Sequence, residues 1–484
     1  MKNFIKMNSI ILFLVLLSTQ LNCSKKSTGQ TGGGGGVIIT PPAANDMALW
    51  ITKANQTALL EQQSITLSFG TVANSNQTVD VDSTTQFQTV DGFGYTLTGG
   101  SATLINNMAS PEKSNLLREF FGNDPSSIGV SYLRVSLGAS DLNASVFSYD
   151  DMPAGQTDIT LSNFSLSQDT IDLIPVLKQI LTINPNIKIL ASPWSPPVWM
   201  KDNGNSIGGG LQPQYYNVYA KYFVKYIQAM KAKGITIDAV TIQNEPQYGG
   251  NNPSMVMSAV QQADFIKNNL GPQFQTAGIN TKIIIWDHNC DNPTYPVTIL
   301  NDAAAKQYVN GSAFHLYGGD ISALSTVHNA HPDKNLYFTE QWTGANESFD
   351  GNFKWHIKNV VIGSMLNWSK IALEWNLANN PSYGPHTAGG CTECKGAVTI
   401  SGSSITRNVG YYIIAQASKF IPAGSIRILS NGILAPNVAF KTPEGKKVLM
   451  VLNEGSTEMG FNIRYKGKWV PTTLAAGTAG TYIW

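Results

Sequence analysis

Charge is scarce in this chain. Of its 484 residues, 13% are Asp, Glu, Lys or Arg, against about 25% in an ordinary soluble protein. The 32 basic and 31 acidic side chains leave a net charge of +1, so no field draws in nucleic acid or an anionic lipid surface. Cysteine is equally sparse, four in all. A single CxxC pair, Cys391 and Cys394 in GGCTECKG, falls short of the four ligands of a structural zinc site, even with His386 nearby. In an exported protein such a pair reads as a local disulfide. No metal and no cofactor are expected: the strand ends carry no metal-spaced His/Cys/Asp cluster, no GxSxG elbow and no phosphate-cradling glycine loop. Long apolar runs are missing too. IILFLVLL (10–17) is well below the roughly 20 residues that cross a bilayer.

That short run does fit an export signal, with Lys2 and Lys6 as its basic start. Cys23 and then SKKSTGQTGGGGG follow, the pattern of a bacterial lipid-acceptor cysteine on a flexible tether. Asn22 before the cysteine departs from the usual small residue, and the alternative is an ordinary cleaved signal. The expected order is a signal peptide (1–22), a lipid-anchored linker (23–45) and then the folded body. The protein is thus expected at the bacterial cell envelope, touching membrane only through that anchor, and as a monomer.

From residue 90 onward, short β-rich runs alternate with amphipathic helical patterns. The runs are VDGFGYT (90–96), SYLRVSLG (131–138), IKILASPW (187–194) and DAVTIQNE (238–245). KIIIWDHN (282–289), SAFHLYG (312–318), NLYFTEQW (335–342) and IALEWNL (371–377) complete the set. Each is nearly continuous in apolar residues, as expected of parallel strands buried on both faces. Between them, Tyr219, Tyr222, Phe223, Tyr226 and Met230 recur at helical spacing and read as core. Ser110 and Pro111 read as the N-cap and first residue of another helix. Eight such units predict a (β/α)8 barrel over 90–420. The Thr/Gln-rich segment 46–89 and the hairpin-rich segment 421–484 alternate instead, and are expected to build one antiparallel β-sandwich beside the barrel.

Active-site residues of such barrels gather at the C-terminal strand ends. Those ends carry Arg134, Asp141, Trp194, Asn244, Glu245, His315, Tyr317, Glu340, Trp342, Glu374 and Trp375. Glu245 and Glu340, from the fourth and seventh strands, face each other across an eight-membered ring. Two carboxylates ~5 Å apart in an aromatic pocket are what retaining glycoside hydrolysis needs. Asn244 is suited to a sugar 2-hydroxyl, and Pro246 is expected to hold Glu245 in extended backbone. Repulsion between the two carboxylates is expected to keep the acid protonated. Arg134 holds Glu340 ionised, binds a hydroxyl or forms a purely structural salt bridge; His315 is a sugar contact or a satisfied core residue. Trp342 and Trp375 are stacking platforms or buried packing, Glu374 reads as structural, and Lys201 as either.

The ordered set DGFGYTLTGGSA, LRVSLGASDL, LASPWSPPVWMK, VTIQNEP, FHLYGG, YFTEQW and EWNLANNPSYGPH resembles glycoside hydrolase family 30. The resemblance runs from about residue 91 to 425. It implies Glu245 as acid/base, Glu340 as nucleophile, and Asp141 and Trp194 as contacts of the terminal sugar. Tyr317 is placed to hydrogen-bond the nucleophile. It further implies a β-linked glucan as substrate, with β-1,6-glucan ahead of glucosylceramide or xylan. A surface protein that binds glycan without cleaving it is the alternative from another class.

Overall fold

The computed structural model describes residues 45–431 and 435–484. Cys23 and the expected signal and tether lie outside them. Among the described residues no helix is long and apolar enough to cross a membrane.

All eight runs form strands, and they close a parallel barrel in chain order. The strands are Gly92–Thr96, Tyr132–Ser136, Lys188–Ser192, Ala239–Thr241, Lys282–Cys290, Val309–Gly319, Asn335–Glu340 and Ser369–Asn376. The eighth pairs with both the first and the seventh, and the seventh with the sixth, so no edge is left open. Close approach of neighbouring backbones requires glycine on the first strand: a Cβ on Gly94 would sit 1.8 Å from the Tyr132 carbonyl oxygen. Inside the ring, Tyr132, Leu190, Ala239, Ile284, Ala313, Tyr337, Ile371 and Leu373 form a closed apolar layer.

The helix Tyr216–Ala232 buries Tyr219, Tyr222, Phe223, Tyr226 and Met230, as its spacing predicts. The helix Ser110–Phe121 starts one residue earlier than expected. Ser110 is its first residue, the cap position falls on Ala109, and no side chain caps it.

Both chain ends meet in one nine-stranded sheet. Three strands, Ala48–Lys53, Glu61–Gln62 and Thr78–Thr89, precede the barrel, and six follow it. The sheet folds over on itself. Tyr482 near one end touches Phe461 (ring centroids 5.9 Å apart) and the Thr472 hydroxyl from the other end, with an apolar core between. Its pairing departs from the antiparallel expectation once: Thr78–Thr89 runs parallel to Met459–Tyr465. A buried glutamine joins sandwich to barrel. Gln416, on the helix Val409–Ser418, accepts from the Thr52 hydroxyl at 2.9 Å. Its amide donates to the Trp50 carbonyl at 3.0 Å and to the Thr481 hydroxyl at 2.9 Å.

Candidate active site

Inward-facing residues two apart on a strand stack along the barrel axis. Two residues beyond Tyr132, Leu190, Ala239, Ala313 and Tyr337 come Arg134, Ser192, Thr241, His315 and Thr339, all fully buried. The apolar layer is thus capped by a polar one.

The fifth strand breaks this rhythm. Trp286 and Asp287 both take left-handed backbone (φ +72° and +64°), and the pairing register with the sixth strand slips between Trp286 and His288. Such a bulge re-aims a side chain, and here it turns Asp287 into the polar layer. Asp287 Oδ2 accepts from Arg134 Nη2 (2.8 Å), Ser192 Oγ (2.5 Å) and Thr241 Oγ1 (2.8 Å). Oδ1 accepts from Thr339 Oγ1 (2.7 Å) and meets His315 Nε2 at 3.2 Å. Burial would raise this carboxyl, but the Arg134 charge and the His315 bond and charge hold it far below the ordinary carboxylate range.

Arg134 and His315 carry this anchor up to the two candidate carboxylates. Arg134 Nη1 bonds Glu340 Oε2, its Nη2 bonds Asn244 Oδ1 at 2.7 Å, and its guanidinium lies 4.8 Å from the Trp194 ring centroid. Of the readings for Arg134, the structure excludes contact with a hydroxyl in the cavity: the side chain is wholly buried, does not line the cavity and is paired with Asp287 and Glu340. Tyr317 donates to Glu340 Oε1 at 2.9 Å. His315 Nδ1 lies 3.1 Å from Glu245 Oε1 and 3.8 Å from Glu340 Oε1. One oxygen of Glu245, one of Glu340 and a His315 nitrogen all fall within 4.8 Å of one another. A cation could reach the same three atoms, but Arg134 already places positive charge on Glu340.

Glu245 does not have the extended backbone expected ahead of proline. Its φ is +47°, a conformation costly for a non-glycine residue. Backbone bonds impose it: Asn244 N donates to Pro193 O (2.8 Å), Glu245 N to Asp287 O (3.0 Å) and Tyr248 N to Glu245 O (2.8 Å). Tertiary contacts, more than Pro246, aim this carboxylate.

His315 dominates the electrostatics of the pair. Burial lowers the His315 imidazole, but Glu340 and the bonds to Asp287 and Glu245 outweigh it and lift it to about 9. It is therefore an imidazolium at neutral pH. Burial would raise Glu245, yet the His315 bond and charge, with His288 and Arg134, bring it below its ordinary value. Burial, supported by Glu245 and Asp287, keeps Glu340 raised against His315 and Arg134. Glu245 is thus pulled down and Glu340 pushed up, with the His315 charge lying between them.

Above this floor lies a cavity of about 400 Å³. Glu245, Glu340, Asn244, Asp141, Trp194 and Tyr317 open onto it, as do Trp342, Trp375 and the two cysteines. Trp194 and Trp375 pack ring to ring at 5.5 Å and are nearly buried, whereas Trp342 is half-buried. Asp141 Oδ2 accepts from the Cys391 amide at 3.3 Å, and burial with the Glu340 charge raises its carboxyl to about 7. Cys391 and Cys394 are joined in a disulfide, as expected, and it forms part of the wall. Glu374 is buried away from the cavity and pairs with His356 at 2.7 Å. Lys201 donates to the Ser206 carbonyl of its own loop and to the Ser254 carbonyl of the loop after the fourth strand, tying the two together.

Sequence reasoning missed His288 and Asn289, at the end of the fifth strand, although the strand-end rule that found the others applied equally there, and it missed Asp287, which the bulge turns inward. It also missed Tyr248 and Asn251, which follow Glu245 and line the cavity. Nothing in the sequence separates Ser192, Thr241 and Thr339 from ordinary strand hydroxyls.

Opposed carboxylates, a guanidinium fixed on one of them and flat aromatic walls suit the cleavage of a bond between neutral sugar rings. Fold and cavity together define a glycoside hydrolase. Residues 90–421 match the glycosyl hydrolase family 30 TIM-barrel domain, and 424–482 match that family's β-sandwich domain. The chain belongs to glycoside hydrolase family 30.

Among its relatives is an endo-1,6-β-D-glucanase of Neurospora crassa, 35% identical over 416 residues that cover 81% of this chain and 85% of the relative. The lysosomal acid glucosylceramidase of Mus musculus is 30% identical over 429 residues, 82% of each. Among solved structures, the endo-β1,6-glucanase BT3312 superposes with a TM-score of 0.84 at 34% identity. That match covers 91% of this chain and 99% of the other.

Proposed function

We propose that this glycosidase hydrolyses β-1,6-glucan with retention of configuration, Glu340 attacking the anomeric carbon and Glu245 serving as acid and then base. The observation that carries this reading is the approach of the two carboxylates to within 4.8 Å, the spacing of a double displacement and too close for an intervening water. The cycle needs the pair's proton on Glu245. Donors for a bare Glu340 are already in place, Arg134 on one oxygen and Tyr317 on the other, and neither bonds Glu245. Asn244 gives its carbonyl oxygen to Arg134, which leaves its amide hydrogens for the sugar 2-hydroxyl.

The glucan preference rests on the β-1,6-glucanases among the relatives and on the cavity, whose aromatic walls suit the apolar faces of sugar rings. The glucosylceramidases are more distant in identity. Export and attachment through Cys23 would put the enzyme where polysaccharide is met, and a Cys23→Ala protein found unchanged in the membrane fraction would reject the anchor. NMR of the first products from pustulan tests the main reading, with the β-anomer expected. An initial α-anomer would refute the mechanism, and xylan cleaved with pustulan untouched would reject the substrate alone.

A further inference from the structure

A second hollow, of about 430 Å³, adjoins the catalytic cavity and shares Tyr317 and Trp342 with it as a common wall. Its far side is the helix Phe349–His356, which presents Trp355, 40% exposed, near its C-terminal end. The neighbouring His356 touches the Trp355 ring at 5.0 Å and is itself pinned to Glu374, so the indole is held by a fixed neighbour. The lining is polar where it is deep. Gln341 and Asn352 are buried there, and the Gln341 side-chain oxygen has no hydrogen-bond partner.

We propose that this hollow is a second sugar subsite, holding a glucosyl residue of the same glucan chain beyond the bond being cut. The proposal rests on the glucanase reading and adds where the rest of the polymer lies. Three features converge on a neutral, polyhydroxylated ring. Exposed indole and phenol faces at the rim match its apolar face. The polar Glu347 and Asn352 side chains in its lining match its hydroxyls. Continuity through Tyr317 and Trp342 lets one chain occupy both cavities. A β-1,6 link carries an extra rotatable bond, which lets the chain bend over the shared wall.

The test is chain-length kinetics on β-1,6-gluco-oligosaccharides, with an aryl β-glucoside that fills only the catalytic cavity as control. Wild type should gain kcat/KM with each added glucose until both cavities are filled. Trp355→Ala should lose about tenfold in kcat/KM on the longer chains, chiefly through KM, the equivalent of about 1.4 kcal/mol of binding. Its rate on the aryl glucoside should not change, and Trp355→Phe should recover most of the loss. Equal losses on aryl glucoside and long chains, or no loss on either, would overturn the subsite.

Should Trp355→Ala not fold, the indole NMR signal of Trp355 in Glu340→Gln protein decides the matter. It should shift with a β-1,6-linked tetrasaccharide and not with glucose, and no shift would reject the proposal. A wild type inert on β-1,6-glucan but active on another β-glucan would reject the linkage only. The same length series on that glucan then decides the subsite.

Discussion

The two layers inside the barrel are made by the same strands two residues apart, yet they are opposites. The lower layer is Tyr132, Leu190, Ala239, Ala313 and Tyr337, apolar and tightly closed. The upper is Arg134, Ser192, Thr241, His315 and Thr339, gathered on Asp287, with nearly every partner specified. A single strand period separates a layer that holds the barrel together from one that aims its chemistry. Burial serves the first through removal of apolar surface from water. In the second, burial is a cost that only a complete set of bonds offsets.

Substitutions in each layer can break that contrast. Asp287→Asn should have the largest effect, because it removes the anion that orients both Arg134 and His315. Activity should fall roughly a hundredfold or more, and stability by about 3–5 kcal/mol as the Arg134 charge loses a buried partner. The pH–rate profile should move as well, since His315 loses the carboxylate on its Nε2. A profile of unchanged shape would reduce Asp287 to a packing residue.

Leu190→Ala, one layer down, should cost about 2–5 kcal/mol in urea unfolding while kcat stays near wild type. A large drop in kcat with little loss of stability would erase the division of labour between the layers.

The smallest effect belongs to the wall above. Asp141, raised to about 7 by burial and Glu340, binds its proton longer in the folded than in the unfolded chain. Its presence therefore lowers stability progressively as pH rises from about 4 to about 7. Asp141→Asn should raise Tm at pH 8, leave it nearly unchanged at pH 4, and reduce activity at both. An equal Tm gain at the two pH values would place the cause outside this carboxyl.

The barrel was legible because strands buried on both faces start as apolar runs, here ending in polar or aromatic residues, and eight of them alternate with helical patterns. The carboxylate pair was legible because Glu245 and Glu340 end such runs. Asp287 was not, since a bulge with two consecutive left-handed residues put it inside, and no strand alternation foretells that. Pro246 was misleading for a related reason. Its preference for extended backbone in the preceding residue was outweighed by bonds from Asn244 and Glu245 to the third and fifth strand ends. The opposite shifts of the two carboxyls escaped as well, because they depend on His315 lying between side chains from other strands. In the sandwich, the joining of both chain ends was legible, but the parallel pair was not.

That joining sets a schedule for the growing chain. The strand Ala48–Lys53 pairs residue for residue with Thr478–Ile483, so Trp50 faces Thr481 across some 430 intervening residues. At the usual rate of synthesis, about 5–20 residues per second, the first of these strands is made tens of seconds before its partner exists. For that time its edge is open to any other strand. Deleting the last six residues would leave it so permanently, which makes the extreme C-terminus a poor place to truncate or to fuse a folded tag.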